Sequence, residues 1–248
     1  MEELIQFDKQ LLLMLNGSDS TFLDGVVLTL TNALTWLPLY LSLLYVVVKN
    51  LNQTSNFKKP QALSLKPQTL NLLLILASAG LLVLLAGTVD DEIVKPLVAR
   101  WRPTHDPEIG SLVDVVNDYR GGRYGFFSAH ASNTFSIAVF FSLLIRARSL
   151  TIAMMIYSFT NCWTRMYLGV HFPGDITVGL IWGAIVGFSV YMLYRHVRGR
   201  WLDNSGITAE GFTSTGYEYR TVYIVPIVLT LTFLYAFVRA WLIMDGIH

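Results

Sequence analysis

Three short stretches of the chain place cations and histidines at spacings that suit the chemistry of a phosphate group. In the first, KPLVARWRP, Lys95 and Arg102 are seven residues apart. Seven residues are nearly two turns of a helix, so both cations would point the same way, about 10 Å apart along the axis. Pro96 suits a first turn, and Pro103 would end the helix. We therefore predict a helical anion-binding face, and we interpret Arg100, which lies off that face, as a snorkelling interfacial cation.

The second stretch, YGFFSAHASNTFS, places Ser128, Ala129 and His130 directly before an apolar helix. Small residues at a helix N-terminus let backbone amides approach a ligand, and both the free amides and the helix dipole favour an anion. His130 could then donate a proton to a leaving oxygen. The alternative is an ordinary serine cap beside an uninvolved histidine.

The third stretch, RMYLGVHFPGD, contains Arg165, His171 and Asp175. Pro173 indicates that a helix begins just after His171, which places Asp175 in its first turn. Because Asp175 follows His171 by four residues, its carboxylate could hold one imidazole N–H and leave the other nitrogen as a nucleophile. The alternative is an aspartate cap beside an interfacial histidine and arginine.

Together the three stretches predict a phosphoryl-transfer site. Three cations bind an anion, and two histidines can divide attack from protonation, which fits a phosphate monoester or a diphosphate. We predict no metal and no cofactor. Asp90, Asp91 and Glu92 are adjacent in sequence and could not all face one ion from a single helix.

The elements that position these residues are predicted to be membrane spans. Of 248 residues, 53% are apolar and 14% are charged, which is typical of a membrane protein. The net charge of +1 offers no basic face for nucleic acid, and Cys162, the only cysteine, allows no intramolecular disulfide. We predict an all-α integral membrane protein, a six-helix bundle in one domain over residues 1–248. The spans run over residues 24–48, 69–89, 131–148, 149–168, 175–194 and 221–244.

Two further segments complete the predicted architecture. The N-terminus opens with acids and lacks the basic region and cleavage site of a signal peptide, so we predict an amphipathic helix at the membrane interface. Residues 90–130 form the longest polar excursion, where function is expected to concentrate.

Basic residues in the first, third and fifth connections predict that these face the cytoplasm. Both termini and all three stretches then lie on the opposite side of the membrane. The cytoplasmic cations are Lys49, Lys58, Lys59, Lys66, Arg146, Arg148, Arg195, Arg198, Arg200 and Arg220.

These residues resemble the signature of the type 2 phosphatidic acid phosphatase family, which vanadium-dependent haloperoxidases share. The family pattern is K-x6-R-P, then P-S-G-H, then S-R-x5-H-x3-D, and the spacings in the first and third stretches match it. Three positions depart from the pattern: Phe127 replaces the proline, Ala129 the glycine and Thr164 the serine. Ala129 matters most, because its methyl group could crowd an amide that should touch phosphate.

The resemblance implies a metal-independent membrane enzyme that acts on lipid phosphates. His171 would attack phosphorus to give a phosphohistidine, oriented by Asp175, and His130 would protonate the leaving group. The remaining residues would bind the phosphoryl oxygens; these are Lys95, Arg102, Arg165, Ser128 and the backbone at Ala129.

The expected partners are a phosphorylated lipid and the bilayer, with no protein partner. Because the resemblance is to bacterial members and the site is predicted to face outward, we expect the bacterial inner membrane with a periplasmic active site. Undecaprenyl diphosphate is the preferred substrate, with lipid A, phosphatidylglycerol phosphate and phosphatidic acid as alternatives. The other hypotheses are a haloperoxidase, a transporter and an inactive lipid-binding relative. Headgroup selection is assigned to residues beside the second stretch, namely Tyr124, Phe126, Phe127, Arg120 and Arg123.

Overall fold

The computed structural model describes residues 2–55, 67–201 and 210–244, and over these residues the regular structure is helical, with no strand. The all-α prediction is therefore confirmed. The α-helices of the described residues are α1 (Glu2–Leu15), α2 (Thr21–Thr31), α3 (Leu37–Ser55), α4 (Pro67–Val83), α5 (Lys95–Val98), α6 (Ala129–Ile145), α7 (Arg148–Tyr167), α8 (Pro173–Trp201), α9 (Tyr219–Val222) and α10 (Ile224–Met244).

Four helical segments of the described residues are long and apolar enough to cross a membrane: Ala33–Leu51, Gln68–Val98, Pro173–Arg200 and Tyr219–Ile243. The predicted spans 131–148 and 149–168 correspond to α6 and α7, joined by a turn in which Arg146 is left-handed with φ 55°. At 17 residues α6 is shorter than the roughly 20 that a span needs. A helical membrane protein is thus confirmed, but the count of six spans is not.

The first predicted span, residues 24–48, is not one continuous helix. It is divided into α2 and α3 at Asn32, whose side chain accepts a hydrogen bond from the Leu34 amide at 2.9 Å. Such a side-chain bond starts a new helical turn and competes with continuation of the old one. Pro38 then lies in the first turn of α3, where its missing amide costs nothing.

The long helix that begins with α4 continues to Val98 through two π-helical turns, Leu84–Thr88 and Asp90–Val94. A π turn frees backbone carbonyls from the regular ladder, and here neighbouring helices bind them. The Trp182 indole donates to the Leu85 carbonyl at 3.0 Å, and the Ser132 hydroxyl donates to the Ala86 carbonyl at 2.5 Å. These two bonds fix the end of this helix against α6 and α8.

The contact between α6 and α8 sets the geometry of the site, because both helices begin at candidate catalytic residues. Small residues let the two backbones approach closely, as in other membrane helix pairs. A Cβ atom added at Gly183 would lie 2.6 Å from the Ser132 carbonyl oxygen. The same contact repeats every four residues, with Gly179, Gly183 and Gly187 packed on Ser128, Ser132 and Ser136.

We expect Gly183→Ala to separate α6 from α8, because the obstructing atoms are backbone and cannot rotate away. Overpacking of this kind costs about 1–3 kcal/mol. The melting temperature in detergent should fall, and turnover should fall with it. Gly80→Ala is the matched control, because a Cβ there meets nothing within 4 Å. Equal melting temperatures for the two variants would contradict the close packing.

The N-terminal helix α1 leaves Leu4, Phe7 and Met14 exposed, and its location at the membrane interface stays a prediction. Its other side is bound to the protein. The Lys9 ammonium contacts the Asp106 and Glu108 carboxylates at 3.0 and 2.8 Å. The helix therefore docks on the polar segment between α5 and α6.

Candidate active site

The three sequence stretches meet at one end of the bundle. Lys95 begins α5 and His130 lies in the first turn of α6, while Arg165 is in the last turn of α7 and His171 directly precedes α8. The positive charges of Arg165, Arg102 and Lys95 all act on His130. The structure therefore brings together residues that lie more than seventy positions apart in the chain.

Lys95 is positioned by the π-helical turn before it. Its ammonium lies 2.9 Å from the Asp90 carboxylate and also contacts Asp91. Asp90 is fully buried, and its other oxygen accepts a hydrogen bond from the Phe127 amide at 3.0 Å. Asp90 thus links the first stretch to the second, a role that sequence analysis missed. Asp90 lies five residues before Lys95, and the π turn that brings the two together has no recognisable sequence pattern.

The prediction of a helix from Lys95 to Arg102 is wrong. The observed helix α5 ends at Val98, because Ala99 is left-handed with φ 50°. Arg102 is extended, with ψ 154°, as expected for a residue that precedes proline. Its Nε donates to the Tyr124 carbonyl at 3.0 Å, and its guanidinium packs against Gly121.

The charges of Arg102 and Arg165 interact within the site. Burial lowers the pKa of the Arg102 guanidinium, and the positive charge of Arg165 lowers it further. An arginine remains charged despite such a shift. Two mutually repelling cations, Arg165 buried and Arg102 half-buried, are stabilised when an anion binds beside them.

Arg165 is 2% exposed and is held by two side chains that sequence analysis did not identify. It donates to the Thr31 hydroxyl at 2.5 Å and to the Tyr119 hydroxyl at 3.1 Å. Its Nε is buried and has no hydrogen-bond partner among the described residues. A buried donor without a partner is costly, so this nitrogen could be satisfied by an oxygen of a bound anion.

The second stretch caps α6. The buried Ser128 hydroxyl accepts from the Ala131 amide at 3.4 Å, and the Ser128 amide donates to the Asp175 carbonyl at 3.2 Å. The amides of Ala129 and His130, which follow Ser128, open the helix and point along its dipole. The second and third stretches are therefore joined by a backbone hydrogen bond.

His171 and Asp175 are both buried, at 1% and 0% exposure. The His171 Nδ1 lies 3.7 Å from the Asp175 Oδ2, which also accepts from the Phe172 amide at 3.0 Å. This separation is longer than a hydrogen bond, as is common in unliganded active sites. Burial, followed by the charges of Arg102 and Arg165, holds the pKa of His171 well below its ordinary value. The imidazole is therefore neutral at pH 7, as a nucleophile must be.

The interpretation of Arg100 as a snorkelling interfacial cation is wrong. Its guanidinium donates to the Asp175 Oδ1 and to the Asp8 Oδ2, both at 2.6 Å. Asp8 is in α1, 92 residues away, so no local pattern could reveal the pairing. Arg100 is a structural partner of the carboxylate that faces His171.

The candidate headgroup residues divide by exposure. Arg123 is exposed and lies 4.3 Å from the ring centre of Trp101 and 5.4 Å from that of Tyr124. Arg120 is also exposed. Phe127 is only 5% exposed and packs near Trp182, so it offers little surface to a headgroup, and its role in headgroup selection stays a prediction.

A helical membrane protein that gathers this much positive charge around two histidines has the features of a phosphate-processing enzyme. Comparison with known proteins agrees. A model of the PAP2 superfamily matches residues 68–198. No solved structure matches the chain.

Similar proteins extend the match over most of the chain. The lipid A 4′-phosphatase of Bacteroides thetaiotaomicron is 35% identical over 93% of this chain and 95% of its own length. That of Porphyromonas gingivalis is 35% identical over 83% and 80%. The decaprenylphosphoryl-5-phosphoribose phosphatase of Mycobacterium tuberculosis is 36% identical over 46% and 56%.

The chain therefore belongs to the PAP2 superfamily, as its motifs predicted. It is an integral membrane lipid phosphatase, a hydrolase of phosphate esters.

Proposed function

We propose that the protein removes a phosphate monoester from lipid A. The observation that carries this proposal is the similarity to two lipid A 4′-phosphatases, one of which aligns with 93% of the chain. The family resemblance and the predicted outward-facing site favour undecaprenyl diphosphate, with lipid A as an alternative. The similarity to these relatives makes lipid A the preferred substrate.

In the proposed mechanism His171 attacks phosphorus while the bond from phosphorus to the sugar oxygen breaks. The bound phosphate dianion favours the protonated form of His130. His130 donates its proton to that oxygen, which leaves as a neutral hydroxyl, and His171 carries the phosphoryl group. Water then attacks the phosphohistidine, passes a proton to His130 and releases inorganic phosphate. Asp175 orients His171 throughout.

The charge arrangement supports this sequence of steps. Phosphoryl transfer depends mainly on positioning and on stabilising the charge of the equatorial oxygens. Lys95, Arg102 and Arg165 supply that charge, and the unpartnered Nε of Arg165 offers a buried donor. Ser128 and the amide of Ala129 complete the phosphate site at the N-terminus of α6. Because the amide remains where a methyl replaces the glycine, we expect activity to survive the Ala129 departure.

The proposed site lies at the periplasmic face of a bacterial inner membrane, with both termini on that side. The distribution of lysine and arginine among the connections supports this orientation. Arg123, with the neighbouring rings of Trp101 and Tyr124, lies beside the phosphate site and is suited to an anionic sugar headgroup.

Purified protein in detergent, supplied with four lipids in excess EDTA, tests the proposal. We expect kcat/KM for lipid A to exceed that for undecaprenyl diphosphate, phosphatidylglycerol phosphate and phosphatidic acid by at least about 10-fold, a discrimination of about 1.4 kcal/mol. Vanadate should inhibit release, because it resembles the phosphoryl group in transfer. A preference for another lipid would overturn the substrate assignment, and a requirement for added divalent metal would overturn the mechanism.

A further inference from the structure

We propose that Asp8, in the N-terminal helix α1, is a positioning residue for catalysis, acting through Arg100 on Asp175. The inference rests on the proposed roles of His171 and Asp175. It makes α1 part of the catalytic assembly, in addition to a helix that faces the membrane.

Arg100 is shared between two carboxylates. One terminal nitrogen donates to Asp175 at 2.6 Å and the other donates to Asp8 at 2.6 Å. The guanidinium also lies over the Phe172 ring, with its central carbon 4.4 Å from the ring centre. A planar guanidinium held by two carboxylates and one aromatic face has little freedom to rotate. The position of Asp8 therefore fixes the position of Arg100.

Arg100 in turn fixes the rotation of the Asp175 carboxylate. Because Oδ1 is bound to Arg100, Oδ2 is directed to the Phe172 amide at 3.0 Å and to the His171 Nδ1 at 3.7 Å. The carboxylate is fully buried, so no solvent competes for either oxygen. Loss of the bond at Oδ1 would free the oxygen that orients the nucleophile.

Asp8 has a second contact with the same turn. Its Oδ1 accepts from the Gly174 amide at 2.7 Å, between His171 and Asp175 in sequence. A Cβ atom at Gly174 would lie 2.8 Å from the Asp8 Oδ2, so the glycine makes room for the carboxylate. One side chain of α1 thus contacts both the partner of Asp175 and the start of α8.

The charge of Asp8 also sets how strongly Arg100 attracts Asp175. Removal of that charge leaves Arg100 with a single carboxylate partner, Asp175. The site already contains cations that face His171, namely Arg102, Arg165 and Lys95. A stronger pull of Arg100 on Asp175 would draw the carboxylate away from His171 and slow attack without changing the groups that bind phosphate.

Asp8→Asn tests whether Asp8 acts through Arg100 on Asp175, with Lys9→Gln as the matched control. Lys9 is the next residue of α1 and binds Asp106 and Glu108, so its change loosens the docked helix without touching Arg100. For Asp8→Asn we expect kcat to fall about 10- to 100-fold, as for changes to residues that orient a catalytic group, with KM within about 2-fold. Lys9→Gln should keep kcat within about 2-fold. Asp8→Glu, which keeps the charge, should recover part of the loss.

Arg100→Gln decides whether Asp8 acts through the arginine. Once Arg100 is replaced, Asp8→Asn should lower kcat by no more than about 2-fold further, since residues that act as a unit are not additive. An unchanged kcat in Asp8→Asn or in Arg100→Gln would overturn the proposal that Asp8 acts through Arg100. Equal losses of kcat in Asp8→Asn and Lys9→Gln would also overturn it. Should Asp8→Asn fail to fold, Asp8→Glu carries the same test: it should lower kcat in the wild-type background and by no more than about 2-fold further once Arg100 is replaced. All rates are measured on the lipid that the wild-type protein hydrolyses best, so failure of the lipid A assignment is seen separately.

Discussion

His171→Ala should abolish turnover, with phosphate release falling by at least about 10³-fold. The side chain is 1% exposed, and its pKa lies well below the ordinary value because of burial and neighbouring cations. In the proposed mechanism this neutral imidazole is the nucleophile, and alanine leaves nothing to take its place. Phosphate release from lipid A is the measurement.

His105→Ala is the matched control. His105 lies in the polar segment between α5 and α6, half-buried and outside the three motif stretches, with its Nδ1 3.1 Å from the Thr104 hydroxyl. We expect turnover within about 2-fold of wild type. Rapid quenching of wild type with ³²P-labelled lipid should trap acid-labile label on the protein, whereas His171→Ala should carry none. Full turnover by His171→Ala, or label that persists in it, would remove His171 from the role of nucleophile.

The loss of turnover in His171→Ala should not be confused with a loss of structure, because the ring has few polar ties, among them a hydrogen bond with the Gly125 backbone. Its Nδ1 has no hydrogen-bond partner among the described residues. The turn that carries it is held instead by backbone and by Asp175, through the Phe172 and Ser128 amides. Melting temperatures of His171→Ala and wild type should therefore agree closely.

Motif spacing predicted the local geometry well where one helix turn decides it. The four-residue interval from His171 to Asp175 placed the two side chains beside each other at the start of α8, as observed. The cap at Ser128 likewise follows from residue type, since a serine before an apolar run accepts from the third amide along.

Sequence reasoning failed where distant parts of the chain compete with local preference. The residues KPLVARWRP read as a helix up to Arg102, yet the chain leaves the helix at Ala99. After that break, the Arg102 amide donates to the Arg123 carbonyl at 3.1 Å, a contact with the other end of the polar segment. Arg100 was misread for the same reason, because its partners are 92 and 75 residues away. Hydropathy detects spans, but it does not indicate which charges will meet.

Substitution of His130 by alanine should produce a loss that depends on the leaving group. His130 lies in the first turn of α6, half-buried, where the charges of Lys95, Arg102 and Arg165 surround it. If it protonates the leaving oxygen, its removal should slow release from a lipid phosphate by about 10²–10⁴-fold. An aryl phosphate such as p-nitrophenyl phosphate needs little protonation, because its phenolate is a good leaving group. We therefore expect His130→Ala to lose less than about 10-fold on that substrate in phosphoenzyme formation.

The rate loss of His130→Ala on the lipid phosphate, divided by its rate loss on the aryl phosphate, distinguishes proton transfer from positioning of the phosphate. A residue that merely holds the phosphate slows both substrates equally, since the phosphoryl group is the same in each. His171→Ala serves as the comparison variant, because loss of the nucleophile should affect lipid and aryl phosphate alike. Single-turnover rates with both substrates are the measurement. Equal losses in His130→Ala would assign this histidine to phosphate binding and leave the protonation step to another group.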